Sequence, residues 1–548
     1  MKKITLVLAL MLACIPSLYA QQVKTELSEG FEEPEDGWNK LLQLKNGNTF
    51  FFHFTKKEGI QVTVYDKNRK TISNKTLVSE LWEPRKMRES VVEGLYEIGG
   101  QPVIFLQQLI DRTPSLFRIK LDPNTGEITG EKLISTLPKY KAGSAWAMAF
   151  GGVDVGDFYV EKDPASDNYA VINFNSFAHE SDERIELIHY SGAGGNHKIL
   201  NRAFYDSPNG QFKYLRFIGM TVDGDKQVFL STYGFNTKSS GEKDSRVIVS
   251  RLKAGEKDFT HNLIEFTDDF RDTKAIMKYN PGANVIQLLT LTLVNSKSKL
   301  LSNKTTTYYM TLMTGIDPQT LRVVYAKPML SEKASAYMQS KVGADFSGLP
   351  QQMIINNDHS TTLLMEEMAT ETIQTRSSIT YRTYLNNIGI TELDDKGREE
   401  NGYVVFKSQM ANGLIDPLYV SHKSKGLWSY RGGGGMFVLN NNAFLSFDYV
   451  NTDHKRYILY NDYPENLDKT GKKRKTVVAI SDANTVCYEL DNGRMTQSYL
   501  FGTPAKDQAK FCYIESSDFL EESNTYATLM MTRDGRKKQA YIAWVKFE

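Results

Sequence analysis

Cysteine is nearly missing from this chain: there are three in 548 residues, at positions 14, 487 and 512. That excludes a disulfide-stapled scaffold and any multi-thiolate zinc or iron–sulfur frame. A surplus of either charge is missing too, with 66 Lys plus Arg against 65 Asp plus Glu. No global field therefore draws the chain to nucleic acid or to an anionic membrane. Beyond residue 20 no apolar run reaches the roughly 20 residues of a membrane-spanning helix. The eight histidines, His53, His179, His189, His197, His261, His359, His422 and His454, stand apart, without the close spacing of a common metal site. The turn that starts at Asp122 lacks the run of carboxylates and the distal Glu of a calcium loop. No Gly-x-Ser-x-Gly elbow occurs, and the Gly-rich run 431–435 leads into a strand pattern where a phosphate-cradling loop needs a helix. Neither a metal nor a cofactor is expected from these residues.

What is present begins with a leader. Lys2 and Lys3 precede an apolar stretch, Pro16 breaks it, and the small residue Ala20 stands before Gln21. Residues 1–20 thus read as a secretory signal peptide cleaved after Ala20, and the mature protein as exported, periplasmic or extracellular. Cys14 at the end of the apolar stretch leaves a lipid anchor as the minor alternative.

Residues 115–135 set the pattern for the rest: an apolar alternating run, an Asp-Pro-Asn-Thr-Gly turn, and a second run, which together make a β-hairpin. The same grammar recurs at 62–77, 185–204, 246–266, 308–329, 388–406 and 486–501. Hairpins grouped two by two give four-stranded antiparallel units, the blades of an all-β propeller. Equivalent turns at Asp66, Asp122, Gly192, Gly255 and Asp317 are 56, 70, 63 and 62 residues apart. The next, near Asp395 and Asp491, follow after 78 and 96. Residues 21–548 therefore form a single propeller domain with insertions in its C-terminal half, where loops that carry function are expected. The last unit offers only three strands, and residues 22–27 are expected to pair beside 540–547 and close the ring. This gives eight blades, with seven as the alternative. Residues 334–349 read as a short helix. Segment 451–475, polar and ending in the basic run 472–475, reads as an exposed insertion that folding does not need. Cys487 and Cys512 flank successive strands and either pair as a disulfide or remain two buried thiols.

Candidate binding residues are aromatic and sit outside the strand pattern: Trp146 in an Ala- and Gly-rich connection, and Trp428, Tyr430 and Arg431 beside the glycine run. A stacking surface with a guanidinium suits a sugar or a peptide. No catalytic residue stands out, although Glu97, Glu161, Glu366 and Glu367 lie on or beside strands that a propeller could bring together. The leader followed by degenerate four-stranded units resembles the secreted or periplasmic β-propeller proteins of Gram-negative bacteria, in architecture and across nearly the whole mature chain. That resemblance carries no active-site residues with it, because fold alone does not fix function. Two functions are open. One is a non-catalytic envelope or secreted protein that binds a glycan, peptide or partner protein on a propeller face. The other is a polysaccharide-active hydrolase or lyase with carboxylates at the mouth of the channel.

Overall fold

In a computed structural model the described residues are 24–34, 37–55, 57–139, 157–175, 183–236, 245–264, 271–297, 305–374, 379–422, 445–452, 455–491 and 494–547. Residues 1–23 lie outside them, and with them the leader and Cys14. The strands fall into eight antiparallel sheets, at residues 37–77, 91–136, 157–204, 214–264, 271–328, 349–412, 448–499 and 508–546, the last completed by 24–27. The fold is an eight-bladed β-propeller.

Strand composition decides radial position. Second strands such as Thr49–Thr55 and Gln227–Phe235 are buried at every residue, as continuous apolar runs between packed sheets must be. Fourth strands such as Thr71–Leu77 and Val323–Pro328 are mostly exposed, so they form the outer rim. First strands are innermost, where those of adjacent blades pack on one another.

This order gives the ring two unlike faces. First-to-second and third-to-fourth turns lie on one, here called the turn face. They are short, and an aspartate repeatedly shapes them. Asp66 accepts backbone N–H groups of Asn68 and Lys70, Asp122 those of Asn124 and Thr125, Asp317 those of Gln319 and Thr320, and Asp394 those of Lys396 and Arg398. These bonds hold Asp66, Asp122 and Asp317 below the ordinary carboxylate range. The opposite loop face carries the second-to-third connections and those between blades. Two hairpins rise from it. Strands Val285–Lys297 and Thr305–Ile316 of the fifth blade, and Thr361–Gln374 and Ile379–Leu393 of the sixth, run past their flanking strands. Gln409–Asn412 adds a fifth strand to the sixth blade along Arg382–Leu385.

The ring closes as expected. Lys24–Leu27 pairs antiparallel with the last strand, in the register Lys24 to Lys546 through Leu27 to Ala543. Phe31 adds a bridge to Ala540. The joint between the eighth and first blades is further fixed by Trp544, whose indole N–H donates to the Thr49 hydroxyl at 3.0 Å and whose ring lies under the Arg69 guanidinium. The expected helix is Glu332–Val342, ended by Gly343 at φ 68°.

Two expectations need correction. Segment 451–475 is no dispensable insertion, because Arg456–Asp462 within it is the buried second strand of the seventh blade. Asp462 and Arg474 from the same segment form a buried ion pair, and the Asn466 amide donates to Asp462 at 2.7 Å. Its polar flanks conceal a core strand. The cysteines are both free and buried. Cys487 pairs in register with Leu459 and Ser498 inside the seventh blade, whereas Cys512 on the eighth faces Thr485, whose hydroxyl donates to the Cys512 backbone's neighbour Asn461 and lies 3.5 Å from the Cys512 sulfur. Cys487 is thus one strand period, roughly 7 Å, from the residue that Cys512 meets. Burial pushes both thiols up, Cys512 to about 11, which makes them inert core groups.

Candidate functional site

Where the inner strands end on the turn face, charged side chains from four blades converge. Glu97 is the penultimate residue of the first strand of the second blade, Val91–Ile98. Lys162 ends the corresponding strand of the third blade, Asp157–Lys162, and Asp167 lies in the turn that follows. Lys45 and Glu522 stand in the first turns of blades one and eight. The Lys45 backbone N–H points at the Glu97 carboxylate, 3.2 and 3.3 Å from its two oxygens. The Lys45 ammonium binds Glu522 at 2.7 Å. Lys162 donates to the carbonyls of Asp163 and Ser166 at 3.0 and 2.6 Å. Just inside the mouth Glu161 of the third blade approaches Lys278 of the fifth, at 3.9 Å, across the intervening blade.

The electrostatics differ from one carboxylate to the next. Burial raises the Glu97 carboxyl above its ordinary value, and the charges of Asp167 and Glu522 add to that against the pull of Lys45. Its hydrogen-bonded ammonium partner Lys45 holds Glu522 low. Burial lowers Lys162, against the opposing charges of Asp167 and Asp163. A half-buried carboxyl raised above its ordinary value beside one held below it is the arrangement that separates a proton donor from a base.

A second polar cluster lies toward the loop face, around a fully buried ion pair. Glu366 and Lys407 form an ion pair with no exposed side-chain surface. Tyr419 donates to Glu366 at 2.8 Å, Ser446 donates to its other oxygen, and Lys407 also reaches the Leu385 carbonyl at 3.1 Å. Gln409 continues the chain to the Asn461 carbonyl at 2.7 Å, and Asn461 to the Cys512 carbonyl at 2.9 Å. Burial pushes Tyr419 well above its ordinary value and Lys407 below its own. The Glu366–Lys407 pair is fully buried while Tyr419 is partly exposed, and the network ties blades six, seven and eight together. Tyr419 and Ser446, 27 residues apart in sequence, both donate to Glu366.

Among the carboxylates singled out from sequence, Glu97 and Glu161 reach the mouth and Glu366 is in the core. Glu367 is half-buried and accepts from the Asn387 amide at 2.7 Å. Trp146, Trp428, Tyr430 and Arg431 lie outside the described residues. Lys45, Lys162, Asp167 and Glu522 were missed, although each sits at or beside the first turn of its unit, a position that superposing the units would have isolated. Among the described residues no group of three or more His, Cys, Asp or Glu is arranged to hold a metal ion, and no helix is long and apolar enough to cross a membrane.

No family model and no curated protein matches this chain. Solved structures align with it at low identity. The polysaccharide lyase Uly1 is 9% identical, with 83% of this chain and 90% of that one covered at a TM-score of 0.36. An ulvan lyase bound to a glucuronic acid–sulfated rhamnose repeat is 9% identical, with 95% and 96% covered at 0.34. The α-L-arabinanase of Cellvibrio cellulosa is 11% identical, with 63% and 96% covered at 0.25.

Proposed function

We propose that the chain is an exported polysaccharide-active enzyme, a hydrolase or lyase, whose reacting groups sit at the turn-face mouth with Glu97 as the proton-transferring residue. The observation that carries this reading is the convergence of Glu97 with Lys45 and with the Lys162–Asp167 turn, from three different blades, on one inner rim. The three segments are distant in sequence, and the packing of any one blade does not require them to meet. Glu97→Gln keeps the shape and the Lys45 contact but removes the titrating proton, and is expected to lower cleavage by about 10²–10⁴-fold. A donor must be protonated, so the wild-type rate should fall as pH rises through the elevated Glu97 value, and the variant should lose that limb. Wild-type rates in Glu97→Gln would overturn the assignment. Export follows from the leader, and N-terminal sequencing of the secreted protein should begin at Gln21.

The loop face favours a second reading, a binding protein without catalysis. The hairpins of blades five and six project there beyond their flanking strands. On this reading a glycan is retained without being cleaved, and Glu97→Gln leaves its retention untouched.

A further inference from the structure

The charges of the turn-face mouth bear on what it can accept, and this step rests on the reading of that mouth as the active site. Every described cation near it is already engaged. Lys45 is held by Glu522 at 2.7 Å, Lys162 by two backbone carbonyls, and Lys278 by Glu161. The carboxylates outnumber them, since Glu97 and Asp167 add to Glu522 and Glu161, and the Glu97 carboxyl feels the charges of both Asp167 and Glu522.

Elimination from an acidic sugar begins with loss of the proton next to the sugar's own carboxylate. The intermediate then carries more negative charge, and a site that does this chemistry supplies uncommitted cations or strong donors to that carboxylate. Here a uronate would have to displace Glu522 from Lys45 or Glu161 from Lys278, and then lie against Glu97 and Asp167. Displacing these exposed pairs costs little, and the larger obstacle is like-charge repulsion from the carboxylates left behind. An uncharged or amino-bearing sugar meets neither obstacle, and its hydroxyls or ammonium find acceptors on the same rim.

We infer that the mouth takes a non-anionic polysaccharide and breaks it by hydrolysis, not by elimination. The Glu97 carboxyl gives its proton to the glycosidic oxygen as the bond from that oxygen to the anomeric carbon breaks, and the bonding pair stays on the leaving oxygen. Water adds to the anomeric carbon and passes its proton to the Asp167 carboxylate. Proton exchange with solvent returns both groups to their starting states, so the only co-reactant is water.

The test incubates the full chain, wild type and Glu97→Gln, with an uncharged β-glucan, an uncharged arabinan and chitosan, and in parallel with polygalacturonate and alginate. New reducing ends and ultraviolet-absorbing unsaturated ends are read separately. The expected result is new reducing ends without unsaturation from a member of the first group, lost in Glu97→Gln. Unsaturated products from an acidic polymer, also lost in Glu97→Gln, would overturn this inference and leave the mouth as the active site. Cleavage of any polymer that Glu97→Gln leaves intact would overturn the mouth itself. Absence of cleavage of all five, with no retention of their oligosaccharides in native affinity gels, would overturn both.

Discussion

A chain that starts after Phe31 is expected to fold into an open ring with an unstable eighth blade. Lys24–Leu27 is that blade's outer strand, and its loss together with Phe31 bares the edge of the last strand from Ala540 to Lys546. Beyond the strand pairs, Ser28 donates its backbone N–H to the Ile542 carbonyl at 2.9 Å and accepts the Ile542 N–H on its hydroxyl, and Phe31 exchanges both backbone bonds with Ala540. At roughly 1 kcal/mol for each lost ladder bond, the deletion removes several kcal/mol from one joint. Phe31 also packs on Phe51 of the first blade, with ring centroids 5.9 Å apart, so the damage reaches across the closure. Chemical denaturation should show an early transition, absent from the intact chain, that reports on Trp544 at this joint. A synthetic peptide of residues 21–34 added in trans should suppress it in a concentration-dependent way. A single unshifted transition in the truncated chain would mean that blade packing alone keeps the ring shut.

The other large effect is expected at Lys407. Lys407→Ala leaves the Glu366 carboxylate enclosed with only the Tyr419 and Ser446 hydroxyls to satisfy it. Breaking a buried pair in this way costs about 3–5 kcal/mol, while replacing both members by apolar groups of similar volume is often near neutral. The double variant Glu366→Leu with Lys407→Met should therefore be more stable than Lys407→Ala alone, read as the denaturant midpoint. If the single and double variants are equally unstable, the destabilisation comes from lost volume and not from the stranded charge.

The closure was legible in advance because its signals are local: three strands and a stop at one end of the chain, one alternating tetrapeptide at the other. The aspartate turns at Asp66, Asp122 and Asp317 were legible for the same reason, since a carboxylate two residues before a free N–H makes its own turn. The seventh blade was not. Residues 476–481 have strand composition, yet they give only a single bridge, Val477 to Gln409, and the short 3₁₀ turn Ile480–Asp482. The true second strand, Arg456–Asp462, had strand composition as well, and composition alone did not choose between it and 476–481. The mouth was visible only through Glu97 and Glu161, because its other members come from residues 45, 162, 167 and 522, which no window of sequence places together. For Glu366 the residue was legible and its environment was not: burial depends on Lys407, Tyr419 and Ser446, which follow it by 41, 53 and 80 residues.

Pairing Lys24 with Lys546 also sets a clock on biogenesis. Ribosomes add about 5–20 residues per second, so the first strand waits roughly half a minute to two minutes before the strand it pairs with exists. During that interval seven blades can stack in order, each on its predecessor, while the arc they form stays open at both ends. A polypeptide cut short anywhere before the final strand never acquires the partner for its own beginning, and it persists as an arc with two bare sheet edges, the species that proteases and chaperones recognise. The joint thus acts as a check on synthesis, in which Lys24–Leu27 stay without a partner until Ala543–Lys546 have been made.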